Sequence, residues 1–146
     1  MNLFGMLQVS GSALLAERER AELTASNLAN AETTRTIEGG PYRRQDVVFA
    51  AQPSISIGFA ATLASFTDLH TEGVRVADVV QSSAPPLRRF DPSHPDADAA
   101  GYVSYPDINP VEETVNLVEA SRSYQMNVSA IQTIKAMIQS AIGIAV

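Results

Sequence analysis

Three carboxylates and an imidazole fall within eight residues in Asp91-Pro-Ser-His94-Pro-Asp96-Ala-Asp98, the best candidate for chemistry in the sequence. Such a set could ligate a divalent cation, because aspartate supplies hard oxygen donors and histidine a nitrogen. The spacing argues against it. Pro92 and Pro95 set the backbone direction, the second histidine, His70, lies in another segment, and no two histidines sit four apart as on a ligating helix face. A solvated, turn-rich loop accounts for the same residues. A Ser-His-Asp triad can be assembled on paper, but no nucleophile elbow, glycine-rich phosphate loop or paired-glycine fingerprint accompanies it. The basic doublets Arg43-Arg44 and Arg88-Arg89 could bind an anion, or lie on solvated faces, or match acidic neighbours in an assembly. The sequence therefore predicts no catalytic, cofactor or metal site.

The elements that carry these residues are clearer than the chemistry. In the C-terminal stretch Leu117, Tyr124, Ile131, Ile138 and Ala145 recur every seven residues, with Ala120, Asn127, Ile134 and Ala141 three positions on. That is a heptad seam. No proline follows Pro110 and no glycine intervenes before Gly143, so one helix is predicted over 110–146, with Asn109 as its N-cap and Glu112 and Glu113 at the positive end of its dipole. A second helix is predicted from residue 3 to about 30, within an N-terminal segment 1–34. Its seam, Leu7, Leu14, Ala21 and Leu28, is weaker, because the companion positions Leu3, Ser10, Glu17 and Thr24 are mostly polar. Both helices need partners for their apolar stripes.

Between them, residues 35–81 read as a small β-rich module, with strands over 42–49, 54–66 and 74–80, although Ala60 to Ala64 reads equally well as helix. Residues 82–109 hold most of the prolines: Pro85, Pro86, Pro92, Pro95 and Pro106, with Pro110 just beyond. That density predicts an extended connection leading back to the C-terminal helix. The predicted fold class is mainly α, with long terminal helices around a small β-rich middle.

Composition narrows the partners. The formal net charge of −6 speaks against a nucleic-acid backbone or an anionic membrane surface. Cysteine is absent, which removes disulfides, thiolate metal sites and cysteine nucleophiles. Residues 3–16 are apolar, but the first basic residue, Arg18, follows that run instead of preceding it, so a cleaved signal peptide is not expected. No uninterrupted apolar stretch is long enough to predict direct membrane insertion.

Two polar stretches interrupt the helices. In 25–31 Asn27 and Asn30 stand near the end of the first helix, and in 121–127 Gln125 and Asn127 flank the seam tyrosine. Helix-end and surface roles would explain them, and so would side-chain hydrogen bonds that fix register between packed helices.

ASNLANAET (25–33) and SRSYQMN (121–127) resemble the paired terminal signatures of bacterial flagellar axial proteins, the rod and hook family. PYRRQDVVF (41–49), GVRVADVV (73–80) and FDPSHPDADAAGYVSYPDIN (90–109) are similar to its proximal-rod members, and the likeness spans almost the whole chain. The sequence departs from the family pattern at Pro106-Asp-Ile-Asn-Pro-Val and in a longer, more apolar 51–72. The resemblance implies a non-enzymatic structural subunit whose terminal helices pair as an antiparallel coiled coil. It implies helical stacking into a hollow tube with copies of itself and with other rod proteins, and a contact with the export-apparatus adaptor at the rod's base. It also implies a periplasmic basal-body location, reached through the flagellar type III export channel without a cleaved signal. An export chaperone or coiled-coil adaptor of that apparatus would share the helices but leaves the middle motifs unexplained; a small hydrolase using His94 would leave the helices unexplained. The assembly surface is expected on Leu7, Leu14, Leu28, Asn27 and Asn30 of the first helix and on Leu117, Tyr124, Gln125, Asn127, Ile131, Ile134 and Ile138 of the second.

Overall fold

The structure, a computed structural model, describes residues 3–52 and 73–144. Helix α1 spans Leu3–Ala29 and helix α2 Pro110–Ile144. Strands β1 (Gln45–Ala51) and β2 (Val74–Gln81) form one antiparallel pair, and β3 (Leu87–Phe90) and β4 (Tyr102–Tyr105) another. At 1.5 Å per residue the helices are about 40 and 52 Å long. They pack along each other, and the partner numbers on α2 fall as those on α1 rise: Arg20 meets Glu119, and Asn27 meets Glu113.

The start of α2 follows from local chemistry. Asn109 Oδ1 accepts the amide of Val111 at 3.1 Å, and Pro110 occupies the first helical position, where no amide hydrogen is needed. The end of α1 is closed by Asn30, whose Nδ2 donates to the carbonyl of Ser26 at 2.9 Å, and Thr33 Oγ1 donates to Asn30 Oδ1. Only Pro106, Asp107, Ile108 and Asn109 lie between β4 and α2, and Pro106 and Ile108 are buried.

The β1–β2 pair leans on α1. Its register slips by one residue between Val48 and Phe49, which oppose Asp78 and Val76 and leave Ala77 as a bulge. Gly73, buried at the entrance to β2, accepts the amide of Gln52 on its carbonyl, while the next amide, Val74, donates to Ser12 Oγ at 3.0 Å. A β-carbon on residue 73 would stand 2.6 Å from that oxygen, so glycine is what lets the strand reach the helix.

Two expectations change. The stretch 82–109 is not one extended connection: it folds into the β3–β4 ribbon, in register from Leu87↔Tyr105 to Phe90↔Tyr102. The prolines flank these short strands and do not interrupt them, and a two-stranded ribbon consists only of edge strands, which tolerate such neighbours. The first strand begins at Gln45, three residues later than its expected start at Tyr42. The strand expected over 54–66 lies outside the described residues, as does His70.

Candidate assembly interface

The best-defined polar site is built around Asn27, which is 1% exposed. Its Nδ2 donates to the carbonyl of Gln45 at 2.8 Å and to Glu113 Oε2 at 3.3 Å. Its Oδ1 accepts the amide of Gln45 at 2.9 Å and the hydroxyl of Tyr42 at 3.1 Å. The side-chain amide thus pairs with the backbone of Gln45 as a neighbouring strand would, while also reaching α2. Glu113, 2% exposed, accepts Arg44 Nε on its other oxygen at 2.7 Å, and Arg44 also pairs with Asp46. Burial works against the charge of Arg44, but its hydrogen bond to Glu113 and the nearby carboxylates raise its pKa above the ordinary arginine value. One asparagine therefore joins the end of α1, the lead-in to β1 and the first turn of α2.

The seam lies partly deeper than its spacing predicted. On α2 the companion positions Ala120 and Ile134 are buried and Asn127 is half-buried, its Nδ2 donating back to Ser123 O. Leu117, Ile131 and Ile138 flank them half-buried, whereas Tyr124 is 41% exposed and Gln125 is exposed. On α1 Ser10, Ala16 and Thr24 are buried, and Leu7, Leu14 and Leu28 are half-buried. Small and hydroxyl side chains occupy the closest positions, and the leucines border them. Asn30 bonds within its own helix end.

Each helix also carries apolar residues away from this seam. Val111, Val115, Val118 and Met126 lie on the side of α2 opposite Ala120 and are 45–71% exposed, and Leu15 of α1 is 70% exposed.

The Asp91–Asp98 loop uses its acids for its own construction. Asp91 Oδ1 accepts the amide and hydroxyl of Ser93, and Asp98 Oδ1 accepts the amides of Ala100 and Tyr102. Asp96 takes the Thr34 hydroxyl at 2.8 Å and an ion pair from Arg35, and His94 Nδ1 accepts the amide of Asp96. Among the described residues no three His, Asp or Glu side chains converge as a metal site would require. Arg88 and Arg89 lie over the rings of Tyr102 and Tyr105, and Arg88 also pairs with Asp98.

These bonds predict a pH response. The Ser93 hydroxyl holds the Asp91 carboxyl below the ordinary aspartate value of 3.8, and the Tyr102 amide does the same for Asp98. A folded pKa below the unfolded one lends stability above the unfolded value, and that stability is lost as pH falls through the folded value. The loop should thus be fully ordered at about pH 5 and loosen only below the ordinary aspartate range. Amide shifts of Ser93, Ala100 and Tyr102 should titrate with midpoints under 3.8; midpoints above it would contradict the bonding.

Two family descriptions match the ends of the chain: "Flagella basal body rod protein" over residues 7–35 and "Flagellar basal body rod FlgEFG protein C-terminal" over 99–144. The chain is 38% identical to the flagellar basal-body rod protein FlgC of Borreliella burgdorferi, over 99% of this chain and 98% of the relative. It is 43% identical to FlgC of Escherichia coli O157:H7, over 94% and 93%, and 36% identical to FlgC of Bacillus subtilis, over 99% of each. The chain belongs to the FlgC family of flagellar basal-body rod proteins. In this FlgC-family chain the polar site lies between the two matched segments, tying Asn27 of the first to residues 42–45 and to Glu113 of the second. Sequence reasoning singled out Asn27 but missed Glu113 as its partner. The signal was present: Glu113 stands seven residues before Ala120, so the seam itself brings a carboxylate to face α1.

Proposed function

We propose that this chain is a structural subunit of the flagellar basal-body rod, without enzymatic activity. It assembles helically, with its own copies and with other rod proteins, into the hollow shaft needed for motility. The observation that carries the assembly reading is the second apolar face of α2, exposed in the single chain at Val111, Val115, Val118 and Met126. An isolated domain has no use for it, whereas a subunit surrounded by neighbours buries it, and contacts repeated without closure generate a filament.

In the finer reading, segments 1–34 and 110–146 pair as an antiparallel coiled coil. Residues 35–81 and 82–109 form the module that faces other rod proteins. The expected interface residues, Leu7 to Leu28 and Leu117 to Ile138 with their asparagines, serve both the pairing within a chain and the contacts between chains. The subunit reaches the periplasmic basal body by flagellar type III export, uncleaved, and a neighbour at the rod's base is the export-apparatus adaptor. What supports this is the near full-length family match together with unpartnered apolar helix faces; among the described residues no helix is long and apolar enough to cross a membrane. The family match gives no support to the alternative of an export chaperone or adaptor.

Deleting the gene in the source bacterium tests the reading. Cells should stop swimming and lack completed rods, both restored by the parent gene, and the chain should be traceable in images of purified basal bodies. Complete basal bodies lacking the chain would overturn it.

A further inference from the structure

The turn after α1 holds the most exposed large apolar side chain in the described structure. Ile37 is 107% exposed, fully clear of the fold. The turn that displays it is rigid. The amide of Thr36 donates to Gly40 O at 2.9 Å, that of Gly39 to Thr36 O at 3.1 Å, and that of Tyr42 to Thr33 O at 3.1 Å. Gly39 and Gly40 have φ of +89° and +79°, which other residues rarely adopt. The base of the turn is pinned to the β3–β4 ribbon by Thr34 and Arg35 on Asp96. A β-branched apolar knob on a turn fixed by this many bonds loses little entropy on docking, as interface anchors require.

The charges around it point to the kind of surface it meets. Arg35 is largely exposed, and Arg43 has no hydrogen bond or ion pair among the described residues. Both line an open cleft of about 660 Å³ with Ile37, where Glu38 is the only acid. The first turns of α2 are the complement. Val111, Val115 and Val118 form an exposed i, i+4, i+7 stripe, Glu112 stands exposed beside it, and no basic residue occurs on the helix before Arg122; Glu119, further along, already meets Arg20.

We propose that the Ile37 turn of one copy docks onto the Val111–Val118 stripe of a second copy, with Arg43 facing Glu112. Every copy carries both halves, so the contact is head-to-tail, the kind that a helical rod repeats from subunit to subunit. This rests on the rod reading and names one of its contacts. Because Ile37 and the three valines are exposed, changing them leaves the single-chain fold intact.

The absence of cysteine makes the test clean. Ile37→Cys and Val115→Cys are introduced together in cells that build flagella, and basal bodies are oxidised and run without reductant. A ladder of this chain is expected with both cysteines and not with either alone. Arg43→Glu and Glu112→Arg should each reduce completed basal bodies, about tenfold if each removes one anchor-strength contact, and together they should restore them. The doubly substituted chain present in basal bodies but giving no ladder would overturn the contact while leaving the rod reading standing. Crosslinking of the Ile37→Cys chain to a protein of another mass would do the same. Absence of the parent chain from purified basal bodies would overturn the rod reading and this contact together.

Discussion

Asn27→Leu is expected to cause a large loss of stability. It removes two donors and two acceptor contacts at once, leaving the amide and carbonyl of Gln45 without partners. The Tyr42 hydroxyl can turn toward Ser26 Oγ, 3.5 Å away, and Glu113 keeps Arg44, so these two recover part of what they lose. A stranded, poorly hydrated backbone group costs about 1–3 kcal/mol, so two of them amount to roughly 2–6 kcal/mol. Asn30→Leu breaks only bonds within its own helix end and should cost about 1 kcal/mol. The urea midpoint of purified protein decides: Asn27→Leu should fall well below Asn30→Leu. Equal midpoints would show that the Asn27 bonds contribute nothing to the fold. In cells the same variant should complete fewer basal bodies, since each subunit carries the defect.

Ile134→Asp should be nearly as damaging, for a different reason. Ile134 is 3% exposed on the face of α2 that packs against α1, so aspartate there must either bury a charge or pull the helices apart. Either route costs several kcal/mol. Met126→Asp supplies the contrast. That side chain is 65% exposed, so the substitution should leave the isolated chain within about 0.5 kcal/mol of the parent. If the outer face of α2 is buried in the rod, Met126→Asp should nevertheless stop assembly. The pair thus separates the two faces: one variant fails in the tube and in the cell, the other in the cell alone. Wild-type swimming by Met126→Asp cells would show that the outer face meets no neighbour.

How much of this was legible in advance depends on the range over which each signal acts. The helices and the start of α2 are local facts, set by heptad spacing, the Asn109 cap and Pro110, and they read directly from the chain. Proline density hides the ribbon, because the prolines stand beside Leu87–Phe90 and Tyr102–Tyr105, which contain none. The depth order within the seam was also hidden. Spacing says which residues share a face, but close approach favours Ser10, Ala16 and Thr24 over the larger leucines, and only three-dimensional packing reveals that choice. The polar site needed three distant segments to meet. Nothing in the sequence around Arg44 says that it belongs to a carboxylate on α2, yet a glutamate in a seam position asks for a cation somewhere.

The brief passage from β4 into α2 has a mechanical meaning. Pro106, Asp107, Ile108 and Asn109 leave almost no slack, Pro106 and Ile108 are held in the interior, and the helix starts on a capped turn whose Glu113 is bonded to Arg44. A force applied to the ribbon reaches the long helix through a stiff, short lever, because a loose tether would have to straighten before it could pull. Such a joint keeps angular lag small: twist delivered to the ribbon is passed to the helix with little elastic loss.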